Sequence, residues 1–179
     1  MLIHINSYPG VGKLTIGRLL AARLGAKLLD NHSIYNVAFA LTEFKTAEFY
    51  DTVRAVRTIA YDRAKTLPET TPLILTNAHA GDSGWGNESW DAAIALAKAC
   101  GRPYRVVVLE CSREENARRI QGADRAALRK PQDPSLFRQQ AIDRPLLDRE
   151  ADDLLHLDVT RLSADAAAEA IYGWLNTLE

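Results

Sequence analysis

The chain has 179 residues, 47% hydrophobic and 25% charged, a composition ordinary for a soluble domain with a buried core. Its 22 Lys and Arg nearly balance 23 Asp and Glu, which excludes a global field that recruits nucleic acid or an anionic membrane, so any anion site has to be built locally. The apolar start ends at Asn6, far too short to span a bilayer, and no secretory leader pattern precedes it, so Cys100 and Cys111 read as reduced thiols of a cytoplasmic protein.

In chain order, Leu2 to Ile5 is a short apolar strand followed by a Pro/Gly turn. Leu14, Ile16, Leu19, Leu20 and Leu24 then recur at helical spacing up to Gly25, a helix-ending residue. Ala26 to Leu29 reads as a second strand ending at Asp30, and residues 31–66 as mainly helical, with Val53, Val56, Ile59 and Ala60 on one side. Leu73 to Leu75 is a third strand. Gly81, Gly84 and Gly86 mark a loop before an alanine-rich helix from about Trp90 to Cys100. Tyr104 to Glu110, with four consecutive apolar residues, suits a parallel strand covered on both faces. Ser112 caps a helix that runs through Ile120, with Glu115 as its capping-box partner. Leu154 to Asp158 reads as a fifth strand, and Ser163 caps a closing helix. His4 and His156 lie within apolar strands, where a hydrogen-bonded core histidine is expected. Strands alternating with helices predict one domain over 1–179, a three-layer α/β sandwich on a five-stranded parallel sheet. Residues 31–66 and 121–145 are insertions over its carboxyl edge, where ligands bind.

Residues 7–15 read Ser-Tyr-Pro-Gly-Val-Gly-Lys-Leu-Thr between a strand and a helix. Glycines at 10 and 12 let backbone N–H groups turn around phosphate oxygens, the helix amino terminus adds positive potential, and Lys13 supplies a point charge. The pattern departs from G-x-x-x-x-G-K-[ST], with Ser7 at the first glycine and Leu14 at the hydroxyl position. Pro9 to Thr15 resembles the Pro-Gly-x-Gly-Lys-x-Thr loop of adenylate kinases and related P-loop small-molecule kinases. The resemblance implies an ATP site over Pro9, Gly10, Val11, Gly12, Lys13, Leu14 and Thr15, with Thr15 touching phosphate or the hydration shell of Mg²⁺; Leu14 cannot ligate a metal.

Asp30, Asn31 and His32 face this loop across the switch point of such a sheet. In the similar shikimate and gluconate kinases an aspartate ending this strand binds an acceptor hydroxyl, so Asp30 is the implied base, with His32 second. The alternative for Asp30 is a helix cap. Arg54 and Arg57, three apart on a helix, either clamp an anionic acceptor group or form a solvated face. Thr76-Asn77 ends the third strand without the carboxylate that organises metal in many P-loop proteins, and Asp82 lies five residues further on. His79 has no partner in sequence.

Arg118, Arg119, Arg125, Arg129 and Lys130 crowd the chain around Gly122, forming either a basic lid that closes over a transferring phosphoryl group or a solvated basic helix. Arg119-Ile120-Gln121-Gly122 resembles the lid approach of adenylate kinases, which implies that Arg119 packs on adenine and Arg125 contacts phosphate. Thr160, after the fifth strand, is placed at the adenine edge by the same likeness. The expectation is a kinase, monomeric or homodimeric, that moves the γ-phosphoryl of ATP with Mg²⁺ onto a small-molecule acceptor, catalysis resting on Lys13, Asp30 and Arg125. The alternative is an ATP-binding regulatory module with little transfer. Nucleic acid and membrane are not expected partners.

Overall fold

The computed structural model of the chain describes residues 1–120 and 145–178. Five strands, β1 (Leu2–Ser7), β2 (Lys27–Asp30), β3 (Leu73–Asn77), β4 (Tyr104–Glu110) and β5 (Asp153–Asp158), form one sheet in the order β2-β3-β1-β4-β5. Every pairing is parallel, with Ile5 set between Thr76 and Val107 and Asp30 beside Thr76. The helices among the described residues are α1 (Lys13–Leu24), α2 (Asn31–Leu41), α3 (Ala47–Lys65), α4 (Gly84–Ala99), α5 (Arg113–Ile120) and α6 (Ala164–Asn176). The expected α/β sandwich on a five-stranded parallel sheet is the fold observed.

Side-chain alternation along the strands sorts the core into two layers. Ile3, Ile5, Ile74, Val107 and Leu109 point to one face, where Ile16 and Leu20 of α1 and Ile171 and Leu175 of α6 cover them. Leu2, Leu73, Leu75, Val106 and Val108 point to the other, against Trp90, Ala93, Ile94 and Ala97 of α4. Burying both faces of β1, β3 and β4 is what their continuous apolar runs require. A third, smaller cluster of Ile34, Ala38, Phe49 and Val53 joins α2 to α3 beyond the β2 edge. No helix among the described residues is long and apolar enough to cross a membrane.

Two expectations are corrected. The fourth helix begins at Gly84, not near Trp90: Ser83 is its N-cap, accepting from the Gly86 N–H at 3.1 Å, and the Asn87 side chain donates back to the Gly81 carbonyl at 2.8 Å. Local capping outweighs the low helix propensity of two glycines. His4 is a core histidine as expected, but His156 is not, because β5 is an edge strand whose alternate residues face solvent. Its ring is 47% exposed and lies 3.1 Å from Asp148.

Candidate active site

The turn after β1 is built for close approach to an anion. Gly10 (φ 95°) and Gly12 (φ 113°) occupy backbone conformations that side chains resist. A Cβ on Gly10 would also stand 2.5 Å from Ile120 Cγ1. Gly12 is the N-cap of α1 and offers no side-chain acceptor, and the first turn holds no acidic residue, so the positive end of the helix lies at the cleft without a side-chain cap. Helix α5 braces the loop from behind: Asn116 Nδ2 donates to the Pro9 carbonyl at 3.0 Å and Arg119 Nη1 to the Val11 carbonyl at 2.7 Å. Asn116 was not among the sequence candidates; it lies four residues after the capping serine, which places it over the loop once α5 forms, and only the fold reveals that.

The loop opens into a cleft of about 720 Å³ at the carboxyl edge of the sheet, a size suited to a nucleotide and a small partner. Pro9, Gly10, Val11, Gly12, Lys13, Leu14 and Thr15 form one wall, Asp30, Asn31 and His32 a second, and Arg118, Arg119 and Thr160 a third. The structure thus brings the sequence candidates of the loop, the β2 end and the β5 end to one cavity. Arg18 and Arg161 line it too; neither belonged to a recognisable pattern.

Asp30 is 9% exposed and both carboxylate oxygens are engaged. Oδ1 accepts from Thr76 Oγ1 at 2.7 Å, across the β2–β3 pairing, and Oδ2 accepts from the His32 N–H at 3.2 Å as the N-cap of α2. The cap and the cleft position coexist in one side chain. Arg119 spans the third wall, its Nη2 donating to the Val159 carbonyl at 2.8 Å and its Nε to Glu115 at 2.6 Å. Glu115, held by Arg118 and then Arg119 at about 2, well below the usual carboxylate value, serves these arginines; its N–H donates to Ser112 Oγ, while the Ser112 N–H goes to Thr160 Oγ1. The Thr160 hydroxyl is itself turned to Asp158, so what Thr160 presents to the cleft is the rest of the residue.

Arg54 and Arg57 do not line this cleft. Both reach Glu88 of α4, Arg54 at 2.7 Å and Arg57 at 2.9 Å, and both guanidinium groups lie over the Trp85 ring. Arg57 continues inward to Ser89 Oγ at 3.0 Å. Asn77, at the position of the missing third-strand carboxylate, donates to Nε2 of the buried His4 at 2.8 Å. Among the described residues no cluster of three or more His, Cys, Asp and Glu could hold a metal. Arg125, Arg129, Lys130 and the lid region 121–145 apart from Pro145 lie outside the described residues.

No family model matches the sequence, and no curated protein matches it either. Solved structures do. A protein of Chloroflexus aurantiacus provisionally assigned as a kinase superposes with a TM-score of 0.68 at 21% identity, covering 98% of this chain and 96% of that one. The APS kinase CysC of Mycobacterium tuberculosis, in complex with AMPPNP and APS, gives 0.64 at 18% identity, with 98% and 96% covered. Shikimate kinase of Acinetobacter baumannii, in complex with shikimate, gives 0.63 at 18% identity, with 99% and 94% covered. The fold of this chain is the α/β fold of these P-loop small-molecule kinases, matched over nearly its full length.

Proposed function

We propose that the chain is an ATP-dependent kinase that transfers the γ-phosphoryl group to a hydroxyl of a small acceptor. The observation that carries this reading is the single cleft that joins a phosphate-cradling loop at one wall to a buried carboxylate at another. The likeness in fold to kinases of small molecules supports it.

In this reading the loop N–H groups and Lys13 hold the β- and γ-phosphates, and Arg119 and Thr160 border the base. The acceptor oxygen attacks Pγ, the bond from Pγ to the β–γ bridging oxygen breaks, and ADP leaves with that oxygen. Asp30 orients the acceptor hydroxyl and takes its proton. Its bonds to Thr76 and His32 fix the carboxylate and leave a further lone pair on each oxygen. Little covalent work is asked of the protein; positioning and charge stabilisation carry the rate. The oxygen donors of the cleft, the Thr15 hydroxyl and the Asp30 carboxylate, suit a hard cation that keeps much of its water, so Mg²⁺ would enter on the ATP phosphates and meet these groups. Bound, it would neutralise charge on the β- and γ-phosphates. Arg125 and the basic residues near it would add positive charge over the transferring group.

The rival reading, an ATP-binding module with little transfer, draws on Leu14 in the hydroxyl position and on Asn77, whose amide is committed to His4. Mg²⁺-dependent ADP release from ATP, measured across hydroxylated metabolites, nucleotides and aminoglycosides, separates the two. Stimulation by one acceptor class is the expected result; ATP binding with no stimulation across the panel favours the module.

A further inference from the structure

Beside the nucleotide cleft lies a second, partly open hollow of about 10 Å³ between α2, α3, α4 and the end of β3, room for one water-sized oxygen. Polar atoms converge on it. His79 is only 6% exposed, and it lines this hollow. Its backbone is pinned: the N–H donates to Asn6 Oδ1 at 2.8 Å, and the carbonyl accepts from Asn6 Nδ2 at 2.9 Å and from the Leu147 N–H at 3.0 Å. The imidazole is therefore held against the hollow by groups that take none of its own hydrogen-bonding capacity. Asn77, which also lines the hollow, gives its amide N–H to His4 Nε2, a bond that does not use its Oδ1.

The charge around the hollow is already balanced. Arg57 is the cation that lines it, and Glu88, shared with Arg54, compensates it at 2.9 Å, while Asp51 pairs with Arg54 at 2.8 Å. A second anion would have to displace Glu88. Burial, then the positive charges of Arg57 and Lys13, hold the His79 imidazole neutral, with a pKa lowered to about 3. Neutral imidazole has one donor and one acceptor nitrogen, which matches a hydroxyl group. Ala78, which stands between Asn77 and His79 in the chain, lines the cleft itself, so the hollow adjoins the cleft.

We propose that this hollow seats a neutral hydroxyl group of the acceptor, other than the one phosphorylated, and that His79 and Asn77 are specificity-determining residues which hydrogen-bond it. The acceptor is then an uncharged polyhydroxylated molecule, with one hydroxyl at Asp30 and another at His79. This rests on the kinase reading and names its substrate class. It also assigns Arg57 to shaping the hollow together with Glu88, in place of clamping an acceptor anion.

The test is a ¹⁵N imidazole NMR titration of the full chain saturated with ADP, using ribitol, D-glucose and myo-inositol as neutral probes and D-gluconate and shikimate as anionic ones, followed by ATP turnover with the same compounds. ADP binding, monitored separately by calorimetry, tests the kinase reading alone; its absence removes that reading and this proposal with it. The expected result is a saturable shift of the His79 nitrogens with at least one neutral compound. That compound should also be the acceptor whose kcat/KM falls about ten- to hundredfold in His79→Leu, mainly through KM, with partial recovery in His79→Asn. Responses confined to the anionic probes, or no movement at His79 across the neutral ones while ADP binds, would overturn it. The wild-type titration stands even where a His79 variant fails to fold.

Discussion

Lys13 occupies the first turn of α1 after Gly10 and Gly12, whose positive φ angles shape a loop that lines the cleft. Its ammonium is the point charge of that loop, and removing it should weaken ATP binding on the order of ten- to hundredfold, since a lost charge-assisted contact is worth roughly 1.5–3 kcal/mol. Calorimetry of Lys13→Ala checks this, with an unchanged melting temperature expected because the residue is not in the core. Asp30 carries two duties that substitution can separate. Asn is as good an N-cap as Asp, so Asp30→Asn should keep stability and ATP affinity while turnover falls about 10²- to 10⁴-fold. Asp30→Ala should lose the cap as well, at about 1 kcal/mol in urea unfolding. Both residues were legible in the sequence, Lys13 from its glycines and Asp30 from its place at a strand end. His79 was visible only as a loop histidine, because what pins it, Asn6 and Leu147, is distant in sequence.

Helices α3 and α4 meet through Glu88, which draws both Arg54 and Arg57 to one carboxylate. Hydrogen bonds from Arg54, then Arg57, lower its pKa from 4.5 to about 2. A depressed carboxylate adds stability that is present above the unfolded value and lost as pH falls through the folded one. Urea midpoints of the wild type should therefore exceed those of Glu88→Gln at neutral pH and converge with them between pH 4.5 and 2. With the side chain 38% exposed the difference is small and should shrink further in high salt; a pH-independent gap would mean that the ion pairs contribute nothing. At this scale the sequence was read well where apolar spacing was regular, as in α3, and poorly at α4, whose start depends on a serine cap that glycines disguised. The arginine pair was read as solvent- or ligand-facing because its acidic partner is 31 and 34 residues away.

Across the whole molecule, the parallel sheet sets loop, carboxylate and arginines around one edge, and two histidines are buried neutral behind it. His4 bridges β1 to Tyr104 of β4 through Nδ1 at 2.6 Å and stacks on Trp90 with centroids 4.5 Å apart. Burial first, and His79 second, lower its pKa well below 6.5, and His79 is lowered to about 3. The unfolded chain binds protons at these positions from about pH 6.5 downward while the native state does not, so stability should fall with acidification through that range. Melting temperatures between pH 8 and 5 check it: a steady decline below 6.5 is expected, flattened in part by His4→Gln if that variant folds, and a level profile would contradict it. The three central strands and their layering were legible because both-face burial writes continuous apolar runs; the edge position of β5, and with it the exposure of His156, was not, since pairing order is a property of the whole sheet.

The central claim, transfer of the terminal phosphoryl group of ATP to a hydroxyl, is tested most directly by ³¹P NMR of Mg-ATP incubated with the full chain and a panel of uncharged polyhydroxylated acceptors. The account predicts that the γ-phosphate resonance is replaced by that of a phosphate monoester on one acceptor, with ADP formed in equal amount and neither change seen with Lys13→Ala. A spectrum in which ATP binds but persists, or in which inorganic phosphate alone appears, would contradict it.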